Sequence, residues 1–271
     1  MSVTRTRASP SQYPVVAETS EDVSVRAIAE RSSCFSECRA YRMAVSIYRL
    51  ETDYGASDFE TALATYIVRS NNPSATAGAV RELSSTLCLG FQKLPVYHKA
   101  KFWEDDFPRY RHASDKYDVI HVTPARQNKR KDVIPGRFDT VLVNVGTGGA
   151  VGVTGYRIAQ VRAIFSIPKR RLRTLFPNHE PPQHLAYIEW FSPFGARPEP
   201  NHGMYKVTRS MRNGKRETAV IPLTDIRRSV HLHPAFGPIV PRDWSSSNVL
   251  DKCPKFFVSN FMDRHAYGTI M

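Results

Sequence analysis

Long apolar runs are missing from this 271-residue chain: no stretch reaches the roughly 18 residues that a membrane-crossing helix requires. No membrane partner is therefore expected. Cysteine is scarce as well. Cys34, Cys38, Cys88 and Cys253 are too few for a disulfide framework at this length, and reduced thiols in the cytosol or nucleus fit them better. The start, Met1 to Tyr13, carries Arg5 and Arg7 but no apolar core, so it is not expected to be a secretory signal. Lysine is absent from residues 1–90, where nine Arg face ten acids. Residues 91–271 hold 29 Lys plus Arg against 15 acids, so they own the whole of the +13 net charge. A field of that sign attracts polyanions: DNA, RNA, acidic tails or anionic lipid.

What is present is enough apolar residue for a core, 41%, cut by nineteen prolines into short elements. The chain is organised around Gln183–Phe194. Leu185, Tyr187, Glu189 and Phe191 alternate with Ala186, Ile188, Trp190 and Ser192. Both sets are largely apolar, which predicts a central strand covered on both sides, and Pro193 ends it. Residues 1–20 are rich in Ser, Thr and Pro and are expected to be disordered. Residues 36–50 fit either a strand or a helix, and helix is favoured. Ser57 and Glu60 have the spacing of a capping box ahead of a helix over 57–69. A second helix is expected over 75–84.

From residue 86 the texture becomes β. Strands are expected near 86–99, 117–124, 138–145, 156–167, 184–194, 203–212, 217–222, 229–233 and 255–261. Asn213-Gly214 between two of them marks a type I′ hairpin, which needs positive φ at both positions. The fold class expected is α+β: a disordered 1–20, a small helical region over 21–85, and a basic, mainly antiparallel β barrel or sandwich over 86–271.

Candidate chemistry is thin. Gly146 to Gly152 follows a strand, as a dinucleotide loop would, but Tyr156–Ile167 alternates like a strand where a helix should follow. A hairpin loop is the better reading. Cys34 and Cys38 lack two further zinc ligands, and His231 and His233 have no partner motif. Glu104, Asp105 and Asp106 could meet a divalent cation, but a solvated acidic turn explains them as well. No cofactor and no catalytic residue is expected. Two basic clusters stand out: Arg126, Lys129, Arg130 and Lys131, and Lys169, Arg170, Arg171 and Arg173. Their composition is that of nuclear-localisation or nucleic-acid patches, and Lys215-Arg216 and Arg227-Arg228 add to the field.

Leu94–Trp103, Pro135–Asn144, Gly155–Arg162, His184–Phe194, His202–Val207, Ile226–Val230, Asp243–Asp251 and Phe257–Tyr267 together resemble a region of basidiomycete fungal DNA-transposon proteins, of the Plavaka type related to CACTA elements. The resemblance covers about 92–271 well and 35–90 more loosely. It places transposase activity in a separate core of three spaced acids on two metals. No such core is found in this chain, so no catalytic residue carries over. A fainter similarity links the order of 156–167, Trp190-Phe191, Met204–Ser210 and Ala219–Ile226 to bromo-adjacent homology domains, which implies a β module that binds histone tails or partner proteins. The expectation is a non-enzymatic, nuclear, transposon-derived module that contacts DNA or chromatin through basic loops. The alternatives are a transposase remnant without activity and a nucleotide-dependent enzyme using the Gly146–Gly152 loop.

Overall fold

The computed structural model describes residues 35–37, 43–103, 117–149, 152–260 and 270, all within a unit running from Cys34 to Met271. The expected disorder of 1–20, the Cys34/Cys38 pair and the acidic run 104–106 lie outside the described residues.

The first elements are β1 (Phe35–Glu37) and β2 (Met43–Ser46), followed by α1 (Ile47–Thr52). Of the segment 36–50, where a helix is expected, the described residues instead form the end of β1, the strand β2 and then a helix that starts only at Ile47. Met43, Val45 and their neighbours pair with a later strand, and the Ser46 hydroxyl then accepts the Arg49 amide at 3.3 Å to start α1. Helix α2 (Phe59–Asn71) has Asp58 as its N-cap, one residue later than the capping box implies. Asp58 is left-handed at φ 59, its carboxylate is taken by Lys215 at 2.8 Å, and the Ser57 carbonyl is held by the Tyr187 hydroxyl. Helix α3 (Ala77–Thr86) is capped by Thr76, whose hydroxyl accepts the Ala79 amide at 3.3 Å.

The β region then runs β3 (Lys93–Tyr97), β4 (Lys99–Trp103), β5 (Tyr117–Thr123), β6 (Arg126–Gln127), β7 (Val133–Ile134), β8 (Arg137–Phe138), β9 (Thr140–Asn144) and β10 (Tyr156–Phe165). After helix α4 (Lys169–Leu175) come β11 (Leu185–Pro193), β12 (Tyr205–Thr208), β13 (Met211–Arg212), β14 (Lys215–Arg216), β15 (Thr218–Pro222), β16 (Ile226–Ser229) and β17 (Leu232–Pro234). The short helix α5 (Val249–Lys252) precedes β18 (Lys255–Val258).

Every strand pairing among the described residues is antiparallel. The main sheet has seven strands in the order β15-β11-β10-β3-β2, with β9 joining β10 to β16. β10 makes this branching possible because it is ten residues long. One edge lies along β11. The other is shared: Tyr156–Gln160 pair with β9 and Ile164–Phe165 with β3. Four-stranded (β1-β4-β5-β8) and three-stranded (β12-β18-β17) sheets and two isolated ribbons complete the set. The chain is α+β, as expected, but no closed barrel forms among the described residues. Bulges in the β10–β11 ladder bend it, and most flanking strands are too short to close on one another.

β11 is the covered central strand the sequence implies, with Leu185 to Phe191 all buried. One hydrophobic cluster gathers Phe59, Leu63 and Ile67 of α2 with Val161, Phe165, Tyr187 and Ile188. The Phe59 ring meets those of Phe165 at 5.1 Å and Tyr187 at 5.7 Å. The helices and the sheet therefore share one core. A second cluster joins Ile158 and Phe191 to Val207, Phe256 and Val258 of the three-stranded sheet.

Candidate nucleic-acid interface

The first basic cluster sits on a two-stranded arm. β6 pairs only with β7, Arg126 opposite Ile134 and Gln127 opposite Val133. An isolated hairpin this short is marginal alone, so its tip needs local bonds. Asn128 supplies them. Its carboxamide oxygen accepts from the amides of Arg130 at 2.8 Å and Asp132 at 2.9 Å, and its Nδ2 donates to Asp132 at 2.9 Å. Lys131 takes the left-handed position at φ 67. Arg126, Lys129, Arg130 and Lys131 are brought together on this arm, all exposed, and no acidic side chain pairs with them among the described residues.

The second cluster forms helix α4. Leu175 is buried beneath it, Leu172 packs on the core, and Asn71 Nδ2 donates to the Leu175 carbonyl at 2.7 Å. Lys169, Arg170 and Arg173 point outward. Lys169 and Arg170 occupy a first turn with no acid, where the helix dipole disfavours cations. Arg171 is turned inward: its Nε donates to the Leu89 carbonyl at 3.2 Å, and it lies over Gly90 (φ +67), where a Cβ would come within 1.8 Å of Nη2. No hydrogen bond or ion pair joins the two clusters among the described residues.

A third basic ribbon, β13–β14, was legible as a hairpin. Asn213 (φ 52) and Gly214 (φ 77) make the turn expected of them. Arg212 and Lys215 project from it, whereas Arg216 turns inward. Arg228 is buried on β16.

The inward arginines belong to a network that the sequence offered no signal for, because its members lie up to 89 positions apart. Glu189 Oε2 accepts from Arg162 at 3.1 Å, Arg209 at 3.3 Å and Arg216 at 2.8 Å. Asp251 Oδ1 accepts from Arg162 and Arg216, each at 2.8 Å. Arg162 stands in a β10 bulge, and its buried Nε has no hydrogen-bond partner among the described residues. Burial, with Arg216 and Arg162 nearby, pushes Arg209 down to about 10. Burial also opposes the Asp251 charge, but Arg162 and Arg216 prevail and hold its carboxyl below the usual range. Beside this network Arg157 meets Glu217 at 2.6 Å and stacks on Trp190 at 4.8 Å.

The Gly146–Gly152 loop joins antiparallel β9 and β10. Asn144 Oδ1 accepts the amides of Gly146 and Gly148 at 2.9 and 3.0 Å, so these donors face the protein. His231 and His233 are exposed. No group of three metal-ligating side chains occurs among the described residues.

A family model described as a domain of unknown function (DUF6830) matches residues 17–209, about seven-tenths of the chain. No curated protein and no solved structure matches the chain.

Proposed function

We propose, for a chain that belongs to the DUF6830 family, a non-enzymatic role as a nuclear, transposon-derived module that binds duplex DNA electrostatically. The observation that carries this reading is the β6–β7 arm, where four exposed cations, none paired with an acid among the described residues, stand on a ribbon whose tip is held by Asn128. Lys169, Arg170 and Arg173 on α4 supply a second set of phosphate contacts, held on a helix anchored to the core. Cations in the first turn of α4 lower its stability slightly, and a polyanion at that surface would offset the cost. The sequence resemblance to Plavaka-type proteins supports the transposon origin and the nuclear setting.

Duplex binding measured against salt tests the reading. Six phosphate contacts, three from the tip of the arm and three from α4, give a log–log slope approaching about −5. Replacing Lys129, Arg130 and Lys131 with Ala flattens that slope by nearly 3 units. Absence of binding at low salt, or a slope near zero in the unmodified protein, would overturn it. In cells, the same triple substitution in a fluorescent fusion is expected to reduce nuclear enrichment.

A further inference from the structure

We infer that the β6–β7 arm lies flat in the major groove of duplex DNA and reads A·T base pairs there, with Gln127 on adenine and Val133 against the thymine methyl. This rests on the DNA-binding reading above and adds a groove, a face and a base preference to it.

Size decides the groove. Two paired strands stand about 4.8 Å apart, and with side chains the ribbon is roughly 10 Å across. The major groove, about 12 Å wide, admits it; the minor groove, about 6 Å wide, does not.

Register decides the face. Residues directly opposite in an antiparallel pair project to the same side. Arg126 and Ile134 thus share one side of the ribbon, and Gln127 and Val133 the other. The Arg126 side turns toward the body of the protein. Ile134 is the less exposed of the two apolar residues, at 38% against 68% for Val133, and the Arg126 charge reaches His98, adding to the burial that lowers its pKa. The Gln127–Val133 side faces solvent. Neither Val133 nor Ile134 joins a hydrophobic cluster of the fold.

Chemistry decides the base. A carboxamide offers a donor and an acceptor together, which matches adenine N7 and N6, while an apolar side chain matches only the thymine C5 methyl. An A·T pair presents both in the major groove. Lys129, Arg130 and Lys131 at the tip then fall beside the backbone, where they position the ribbon without reading sequence.

The test uses the full chain and three duplexes of one A·T-rich sequence: DNA with thymine, DNA with uracil in its place, and RNA. Loss of the methyl in the uracil duplex is expected to weaken binding about 5-fold. Val133→Ala should bind both DNA duplexes equally while keeping the wild-type salt slope, and Gln127→Ala should lose the preference for A·T over G·C. The RNA duplex, whose major groove is deep and narrow, should bind more weakly. Both substituted side chains are exposed, so circular dichroism should be unchanged. Equal binding of thymine and uracil duplexes, or RNA binding as tight as DNA, overturns this inference and leaves the electrostatic reading standing. No binding to any duplex at low salt overturns both.

Discussion

Single side chains in this protein are held in environments that a sequence does not display. Asp225 ends a short 3-10 turn after β15, and burial pushes its carboxyl up to about 6. Its folded pKa lies above the unfolded one, so its contribution is fully favourable only below about pH 4 and is lost as pH rises through about 6. Asp225→Asn removes that loss. Urea unfolding should find the variant more stable than the parent by on the order of 1 kcal/mol at pH 8, after allowance for the carboxyl's partial exposure. The gap should shrink as pH falls from 7 to 5; a constant gap would show that the carboxyl is not the cause. Arg171 teaches a related lesson. In the sequence it is one cation among four. In the fold it braces Leu89 and Gly90, while Lys169, Arg170 and Arg173 face outward, because only one side of α4 is solvent-facing.

Elements divide into those the core holds and those held by their own turn chemistry. The β6–β7 and β13–β14 ribbons are of the second kind. Asn128→Ala deletes the three side-chain bonds at the first tip. Because the arm lies outside both hydrophobic clusters, global stability should change by no more than about 0.5 kcal/mol. DNA affinity should fall several-fold, since Lys129 to Lys131 lose their fixed positions. Equal affinity in an anisotropy titration would show that the tip need not be ordered in advance. Strands and turns were the legible part of the sequence. The alternation at 156–165 and 185–191 and the Asn213-Gly214 turn all appear where period and turn chemistry put them. The capping box at Ser57 failed because Tyr187, 130 residues away in sequence, holds the Ser57 carbonyl. Residues 36–50 were ambiguous because pairing with β3 decides the strand, and a local pattern contains no partner.

Across the whole molecule, Glu189 is the point where separate elements meet. It draws together Arg162 of β10, Arg209 after β12 and Arg216 of the β13–β14 hairpin, and Asp251 ties α5 to the same three guanidiniums. A buried ion set of this kind is weak evidence for stability as a whole, yet removing one partner is costly. Glu189→Ala leaves three cations around one buried acceptor site and should destabilise by about 3–5 kcal/mol in chemical denaturation. A loss under about 1 kcal/mol would mean that water or Asp251 takes over the vacated role.

The amino-acid sequence by itself determined the local and the additive properties of this protein. It specified the α+β character, the positions of most strands, the turn at Asn213-Gly214 and the sign of the field over residues 91–271, because periodicity, turn chemistry and charge depend on near neighbours or on simple sums. Only the tertiary structure decided which cations face water and which are consumed inside. Arg126, Lys129, Arg130 and Lys131 stand out on a ribbon, whereas Arg162 of β10 and Arg209 and Arg216 beside the β13–β14 turn converge on Glu189. It also decided that the strands branch at β10 instead of closing into a barrel. Both outcomes depend on pairings between residues far apart in the chain, and a charge or an alternation read along one segment does not contain its partner.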